Sequence, residues 1–407
     1  MTLAHLRSHF PALARTHNGR PVAYFDGPGG TQVPSSVVDA IADYLRHHNA
    51  NTHWHYPTSQ ETDAILQDAR QVCATFLNAP GPSSISFGQN MTTITFHLAR
   101  ALARQWGPGD EVVVTDLDHH ANVDPWRDAA AERGVTVRHA PLTPDLSGLD
   151  MDALAALLTP RTRLLAIGAA SNAIGTITDV TAATRLAHAA GALVFVDAVH
   201  YAPHVLVDVQ TIGCDLLACS PYKFYGPHQG LLCARPELIA SLTLPRLRPA
   251  PAQPPDSLET GTQSHEGIAG TAAAVRFLAG ICGPVGVGPG ALRDGLVRSF
   301  TALHDAAEPL TQQLWEGLGA IDGITRYGRP PGAARTPTVS FVVEGHGSHA
   351  VTRRLADEGL FVSSGDFYAS TVVERLGQAE HGVIRVGCAC YTSTDEIDRL
   401  LYAVRRL

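Results

Sequence analysis

Apolar residues along the chain fall into short unbroken runs separated by segments of helical period. Ile85-Ser86-Phe87-Gly88, Glu111–Asp116, Leu164–Ala169, Leu193–His200 and Asp215–Cys219 each predict a strand buried on both faces, because they lack the alternation of a half-solvated one. Pro34–His48, Thr58–Leu77 and the segment opened by Asn90-Met91-Thr92-Thr93 predict helices between them. Alternation of this kind defines an α/β fold with a mainly parallel sheet. Met1–Thr16, with Leu3, Leu6, Phe10 and Leu13 at helical spacing, predicts a short amphipathic helix. Tyr24-Phe25-Asp26 predicts a short strand that runs into Gly27-Pro28-Gly29-Gly30.

Past Lys223 the chain is expected to leave the sheet. A Gly/Pro-rich stretch at 283–290 marks a domain change, after which a strand (Thr338–Val343), a helix (His349–Glu358), a strand (Val383–Gly387) and a final helix form a smaller α+β unit. The expected division is a large domain over 16–282 and a small one made of 1–15 with 283–407. In open parallel sheets ligands gather at the carboxyl edge. The polar residues just past the strand ends are therefore the candidates for chemistry.

Two of those residues define a chemistry together. Lys223 follows the strand Asp215–Cys219 in the turn Ser220-Pro221-Tyr222-Lys223-Phe224-Tyr225-Gly226-Pro227, where poor solvation lowers an ammonium pKa and frees the amine as a nucleophile. Asp197 ends another buried strand, and a buried carboxylate there needs a cationic partner. The protonated pyridine nitrogen of pyridoxal 5′-phosphate is such a partner, and the aldehyde of that cofactor needs a lysine. The helix opened by Asn90-Met91-Thr92-Thr93 offers backbone amides to an anion.

The segments VDAVHYAPH and CSPYKFYGPHQG resemble the core of class V aminotransferases, the group that contains cysteine desulfurases, and the resemblance runs from Tyr24-Phe25-Asp26 to the C-terminal helix. It implies the pyridoxal-phosphate fold type I, with Lys223 as the Schiff-base lysine and Ser220 and Tyr222 beside it in the cofactor site. Asp118-His119-His120-Ala121-Asn122 resembles the desulfurase Glu-His-His-Ala-Asn stretch and implies that His119 stacks on the pyridine ring. Ser171-Asn172-Ala173-Ile174-Gly175-Thr176 implies that Asn172 donates to the phenolic oxygen of the cofactor, with His200 close by. The phosphate is expected at Thr92 and Met91, joined by Thr262 of a neighbouring subunit, which implies a homodimer. Gly29, and His55 in the loop Asn51–Pro57, are expected to border the substrate. Arg385 matches the arginine that grips its α-carboxylate, and a planar guanidinium suits that role.

One departure changes the expected activity. The desulfurase loop Gly-His-His-Cys-Ala is here Gly365-Asp366-Phe367-Tyr368-Ala369, so Tyr368 stands at the persulfide-forming cysteine and borders the substrate instead. A phenol cannot take up sulfur as a thiolate does. The expected reaction is β-elimination (C–S lyase chemistry) or transamination of a small α-amino acid, with Lys223 as the base, His119 over the ring and Asp197 behind it. The alternatives are desulfuration through another thiol, such as Cys388 or Cys390, and epimerisation. Further off lie a metallohydrolase built on His119 and His120 with Asp116 and Asp118, and a scaffold that keeps the cofactor without turnover. The favoured reading requires no metal.

Composition narrows the setting. The net charge of −8 argues against nucleic acid or an anionic membrane as partner. Seven cysteines at irregular spacing do not form a disulfide framework, and a reducing cytoplasm is expected. Met1–Arg20 has no continuous apolar run, and no stretch is long enough to span a bilayer.

Overall fold

A computed structural model of the chain describes residues 3–407. Its centre is a seven-stranded sheet formed by β1 (Ile85–Gly88), β2 (Glu111–Thr115), β3 (Thr136–Ala140), β4 (Thr162–Gly168), β5 (Leu193–Asp197), β6 (Leu216–Cys219) and β7 (Gly230–Ala234). The spatial order is β1-β7-β6-β5-β4-β2-β3. Only β7 runs against its neighbours. The expectation that the chain leaves the sheet after Lys223 is thus corrected. Gly230-Leu231-Leu232-Cys233-Ala234 is buried throughout and returns between β6 and β1, too short a run to stand out beside the Gly-Pro turn before it.

Helices cover both faces of the sheet, and the apolar side chains divide into two layers. One holds Val113, Leu165, Ile167, Val194, Val196 and Leu217, packed under the helices Pro57–Leu77 and His265–Ala279. The other holds Val112, Val114, Leu164, Ala166, Phe195 and Ala218, together with Trp126. Adjacent residues of one strand fall into opposite layers, as the pleat requires, and this is why the strands read as unbroken apolar runs.

The small sheet, ordered β8 (Ile324–Tyr327), β9 (Thr338–Val343), β11 (Val383–Gly387) and β10 (Ser363–Gly365), is antiparallel. Its core includes Leu314 and Leu318 of the long helix Pro289–Gly319, Val339, Phe341, Ile384 and the final helix Thr394–Val404.

The N-terminus departs from the single helix expected. Ala4–His9 and Pro11–Ala14 are two short 3₁₀ turns; Met1 and Thr2 lie outside the described residues. Leu3, Leu6 and Phe10 join the large core, where Phe10 meets Tyr225, Phe277 and Tyr391 edge-on, and Arg7 pairs with Glu396 of the final helix. Ala23 and Phe25 instead belong to the small-sheet core, where Phe25 exchanges backbone hydrogen bonds with Phe361 and Gly387. The helix at Pro34 is α-helical over Ser35–Asp43 and widens into a π turn at Tyr44–His48. Tyr44 is buried there, its hydroxyl 3.1 Å from His265 Nδ1.

Candidate active site

The ends of β1, β2, β4, β5 and β6 open on one cavity of about 470 Å³. Met91, Thr92, His119, Asn172, Asp197, His200, Ser220, Tyr222 and Lys223 all line it. One sheet edge therefore collects residues that stand far apart in the chain.

Lys223 closes the 3₁₀ turn Pro221–Lys223 after β6. The next turn requires Tyr225 at φ +69° and a glycine at 226, where a Cβ would press to 2.8 Å from Pro221. Lys223 Nζ donates to the carbonyls of Pro28 and Gly29, the latter at 2.9 Å, and lies 4.8 Å from the centre of the Tyr222 ring. Burial, and then the Arg385 charge, bring its pKa down to about 8. Asp197 is 9% exposed and accepts from Val199 N at 2.8 Å. Burial pushes its carboxyl up to about 6, against the opposing pull of the Val199 amide and of Lys223.

His119 carries its proton on Nε2, since Nδ1 accepts from Ala121 N at 2.9 Å. Burial, with the nearby cations Lys223 and Arg385, lowers its pKa to about 4, so the ring is neutral, as a stacking surface should be. At the other end of the cavity the helix Met91–Leu102 begins, with Asn90 capping it through Thr93 N at 2.8 Å. Ser220 Oγ accepts from Met91 N at 3.2 Å and ties the end of β6 to this helix.

Two buried polar atoms in the cavity have no partner in the protein, namely Asn172 Oδ1 and His200 Nδ1. His200 Nε2 is held by Thr336 and Thr338, at 3.0 and 3.1 Å, and burial keeps the ring neutral. Asn172 Nδ2 gives one of its two N–H groups to the Phe367 carbonyl at 2.9 Å. The second N–H and the unpartnered Oδ1 remain.

Arg385 is engaged inside the protein. It is buried and does not line the cavity. Nη2 pairs with Asp26 at 3.1 Å, Nη1 donates to the Asn172 carbonyl at 3.1 Å, and the guanidinium lies 3.9 Å from the centre of the Phe367 ring. Phe367 and Tyr368 both hold left-handed backbone, at φ +54° and +56°, which bulky residues rarely adopt outside functional sites. Tyr368 is 72% exposed, its ring 5.5 Å from that of His119 and its carbonyl accepting from His120 N at 2.6 Å. Gly29 sits beside this group, where a Cβ would collide with the Asp26 carboxylate.

His55 and Thr262 are exposed and stand outside the cavity of their own chain. His120 turns to Asp124 and Thr371, and Asp116 to His139 and Arg375, so the residues offered for a metallohydrolase diverge. No group of three His, Cys, Asp or Glu able to hold a metal ion occurs among the described residues. Lining residues that sequence reasoning missed include Gln89, Gly168, Val199 and His228, whose ring stacks on Tyr222 at 5.0 Å. For His228 the available signal was its place directly after Gly226-Pro227.

A lysine of lowered pKa, a buried carboxylate, a neutral histidine face, a helix N-terminus and two unpartnered polar atoms in one cavity fit pyridoxal phosphate, and they define a fold type I enzyme of that cofactor. The chain matches the Aminotransferase class-V family over residues 23–283 and 295–400. It is 33% identical over 412 residues to the cysteine desulfurase of Klebsiella pneumoniae subsp. pneumoniae, covering 99% of this chain and 97% of that one. The crystal structure of the cysteine desulfurase CsdA from Escherichia coli superposes with a TM-score of 0.85 at 27% identity, covering 100% and 98% of the two chains. That of the cysteine desulfurase from Thermococcus onnurineus gives 0.87 at 25%, covering 99% and 97%. The chain belongs to the aminotransferase class-V family and is a pyridoxal-phosphate-dependent enzyme.

Proposed function

We propose that this enzyme eliminates the β-sulfur of a small amino acid such as cysteine and releases it as free sulfide rather than storing it on a thiol of its own. One observation carries the proposal: among the described residues no cysteine lines the cavity that holds Lys223. Cys388 and Cys390 line a different one, and burial pushes both thiols up to about 12, far from the thiolate that accepts sulfur. Tyr368 occupies the place of the missing thiol.

The protein side of the reaction assigns itself by chemistry. Lys223, already easy to deprotonate, takes the Cα proton. Asp197 holds a proton at the ring nitrogen, and the cofactor when bound supplies the electron sink. The N-terminus of the helix Met91–Leu102, with Thr92 and Ser220, receives the phosphate. His119 and Val199 face the ring. Arg385 orients the substrate carboxylate, which replaces Asp26 on the guanidinium.

Thr262 and His55 serve the site of a second copy. Val38, Leu45, Trp54 and Tyr56 are large apolar residues exposed along residues 38–56, the stretch that contains His55, which suits a homodimer face. No helix among the described residues is long and apolar enough to cross a membrane, and the seven cysteines stay unpaired, which fits the reducing cytoplasm.

A panel of amino acids added to the purified protein reconstituted with pyridoxal phosphate tests the reaction. Cysteine is expected to give pyruvate, ammonia and sulfide in equal amounts. Alanine with sulfur retained on the protein would indicate desulfuration, and a keto acid without sulfide would indicate transamination. Either result would displace the proposal.

A further inference from the structure

Asp118 has no part in the chemistry above, yet it is 4% exposed and lines the same cavity as Asp197. Its place is built with care. Oδ1 accepts from Gly168 N at 2.7 Å, and Oδ2 from Asn122 Nδ2 at 2.9 Å. The Asn122 amide is oriented by Trp126, whose indole can only donate and does so to Asn122 Oδ1 at 3.1 Å. Asn122 and Trp126 are fully buried. Gly168 is the residue paired with Asp197 between β4 and β5, and a Cβ on it would lie 2.6 Å from Asp118 Oδ1. The glycine therefore makes room for a second carboxyl directly beside the strand position of the first.

Two like charges buried together cannot both ionise cheaply. Among the described residues neither carboxyl forms an ion pair; the groups facing them are Thr115, Asn122 and the Gly168 amide on Asp118, and the Val199 amide and Lys223 on Asp197. We propose that Asp118 and Asp197 form a carboxyl pair that holds one proton in the unliganded protein and gives it up to solvent when the protonated ring nitrogen of pyridoxal phosphate binds. The step balances: an O–H bond of the pair breaks, its proton goes to water, and two carboxylates are left against the cation that the ring brings. The proposal rests on the pyridoxal-phosphate assignment of the cavity. It gives Asp118 a positioning role, exerted through Asp197. Burial and the neighbouring Asp197 push the Asp118 carboxyl up, and burial pushes that of Asp197 up as well, so at neutral pH the pair keeps one proton between its two sites.

Calorimetric titration of the unliganded protein with pyridoxal phosphate, in buffers of different ionisation heat, counts the protons released to solvent. Asp118→Asn is expected to release about one proton fewer than the wild type, because the variant lacks the proton of the pair. With a cofactor analogue carrying carbon in place of the ring nitrogen, the difference should vanish. Equal release by both proteins with pyridoxal phosphate overturns the proposal. A second measurement needs no variant. Infrared spectra of the wild type with isotope-labelled aspartate should show a protonated-carboxyl band at neutral pH that disappears on cofactor binding. Absence of that band in the unliganded protein, or its survival after binding, overturns the pair. Failure to bind pyridoxal phosphate at all would instead sink the functional assignment and the proton release with it, while the band would still judge the pair.

Discussion

Two cavities meet at a pair of histidines. His200 lines the one that holds Lys223, His204 lines the other, and their rings stand 5.4 Å apart. The second cavity, about 580 Å³, is the larger, yet none of the buried side-chain atoms that lack a partner among the described residues belongs to its lining. Arg7 is spent on Glu396, Arg335 on the carbonyls of Arg329, Thr336 and Thr338, and the Cys390 amide on the Tyr225 hydroxyl. In the smaller cavity a lysine and a carboxylate carry opposed pKa shifts, and two buried atoms lack partners. Volume does not mark a site; unspent polar groups at strand ends do.

Substitutions can break this contrast. Lys223→Ala removes the proposed cofactor attachment and base, and should lower sulfide release by about 10²–10⁴-fold or more. A variant that retained wild-type turnover would transfer the chemistry elsewhere. Arg385→Lys keeps the charge and loses the planar fork. The expected effect is a rise in KM for the amino acid of about 10- to 100-fold, as for loss of a charged hydrogen bond. Unchanged KM would leave Arg385 a structural partner of Asp26.

Tyr368→Cys puts a thiol next to His119. Part of the sulfur should then remain on the protein, visible by alkylation and mass spectrometry, where the wild type retains none.

Acid probes the histidines between the cavities. Burial lowers the pKa of His119 and of His204 to about 4, and that of His200 also. The unfolded chain binds their protons near pH 6.5 and the folded one near 4, so stability falls as the pH is lowered through this window. Thermal unfolding followed from pH 7 to 4 should show the fall, and His204→Phe should make it shallower.

The smallest effect belongs to the large cavity. Cys388→Ala and Cys390→Ala should leave sulfide output unchanged and cost about 1 kcal/mol of stability each. Loss of sulfide release in either variant would revive desulfuration through an unusual thiol.

Much of the site was legible from residue order. Unbroken apolar runs can only be strands buried on both faces, and whatever follows them in a parallel sheet shares one edge. Lys223, Asp197, His119 and Asn172 were found that way, and the class V resemblance gave them roles. What stayed hidden depends on neighbours distant in the chain. The strand Gly230–Ala234 is recognisable only by the two strands that flank it. The direction of the Asn172 amide is set by Phe367, and the ion pair of Arg385 by Asp26, both contacts between segments far apart in the chain.

The order of residues by itself determined the α/β alternation, the lysine and the aspartate of the cofactor site, and the absence of a thiol at position 368, because each is a local matter of pattern and side-chain chemistry. Only the folded chain decided which cavity each cysteine lines and that Asp118 sits beside Asp197. Burial and proximity are sums over many segments, and charge and protonation follow from them rather than from any one stretch.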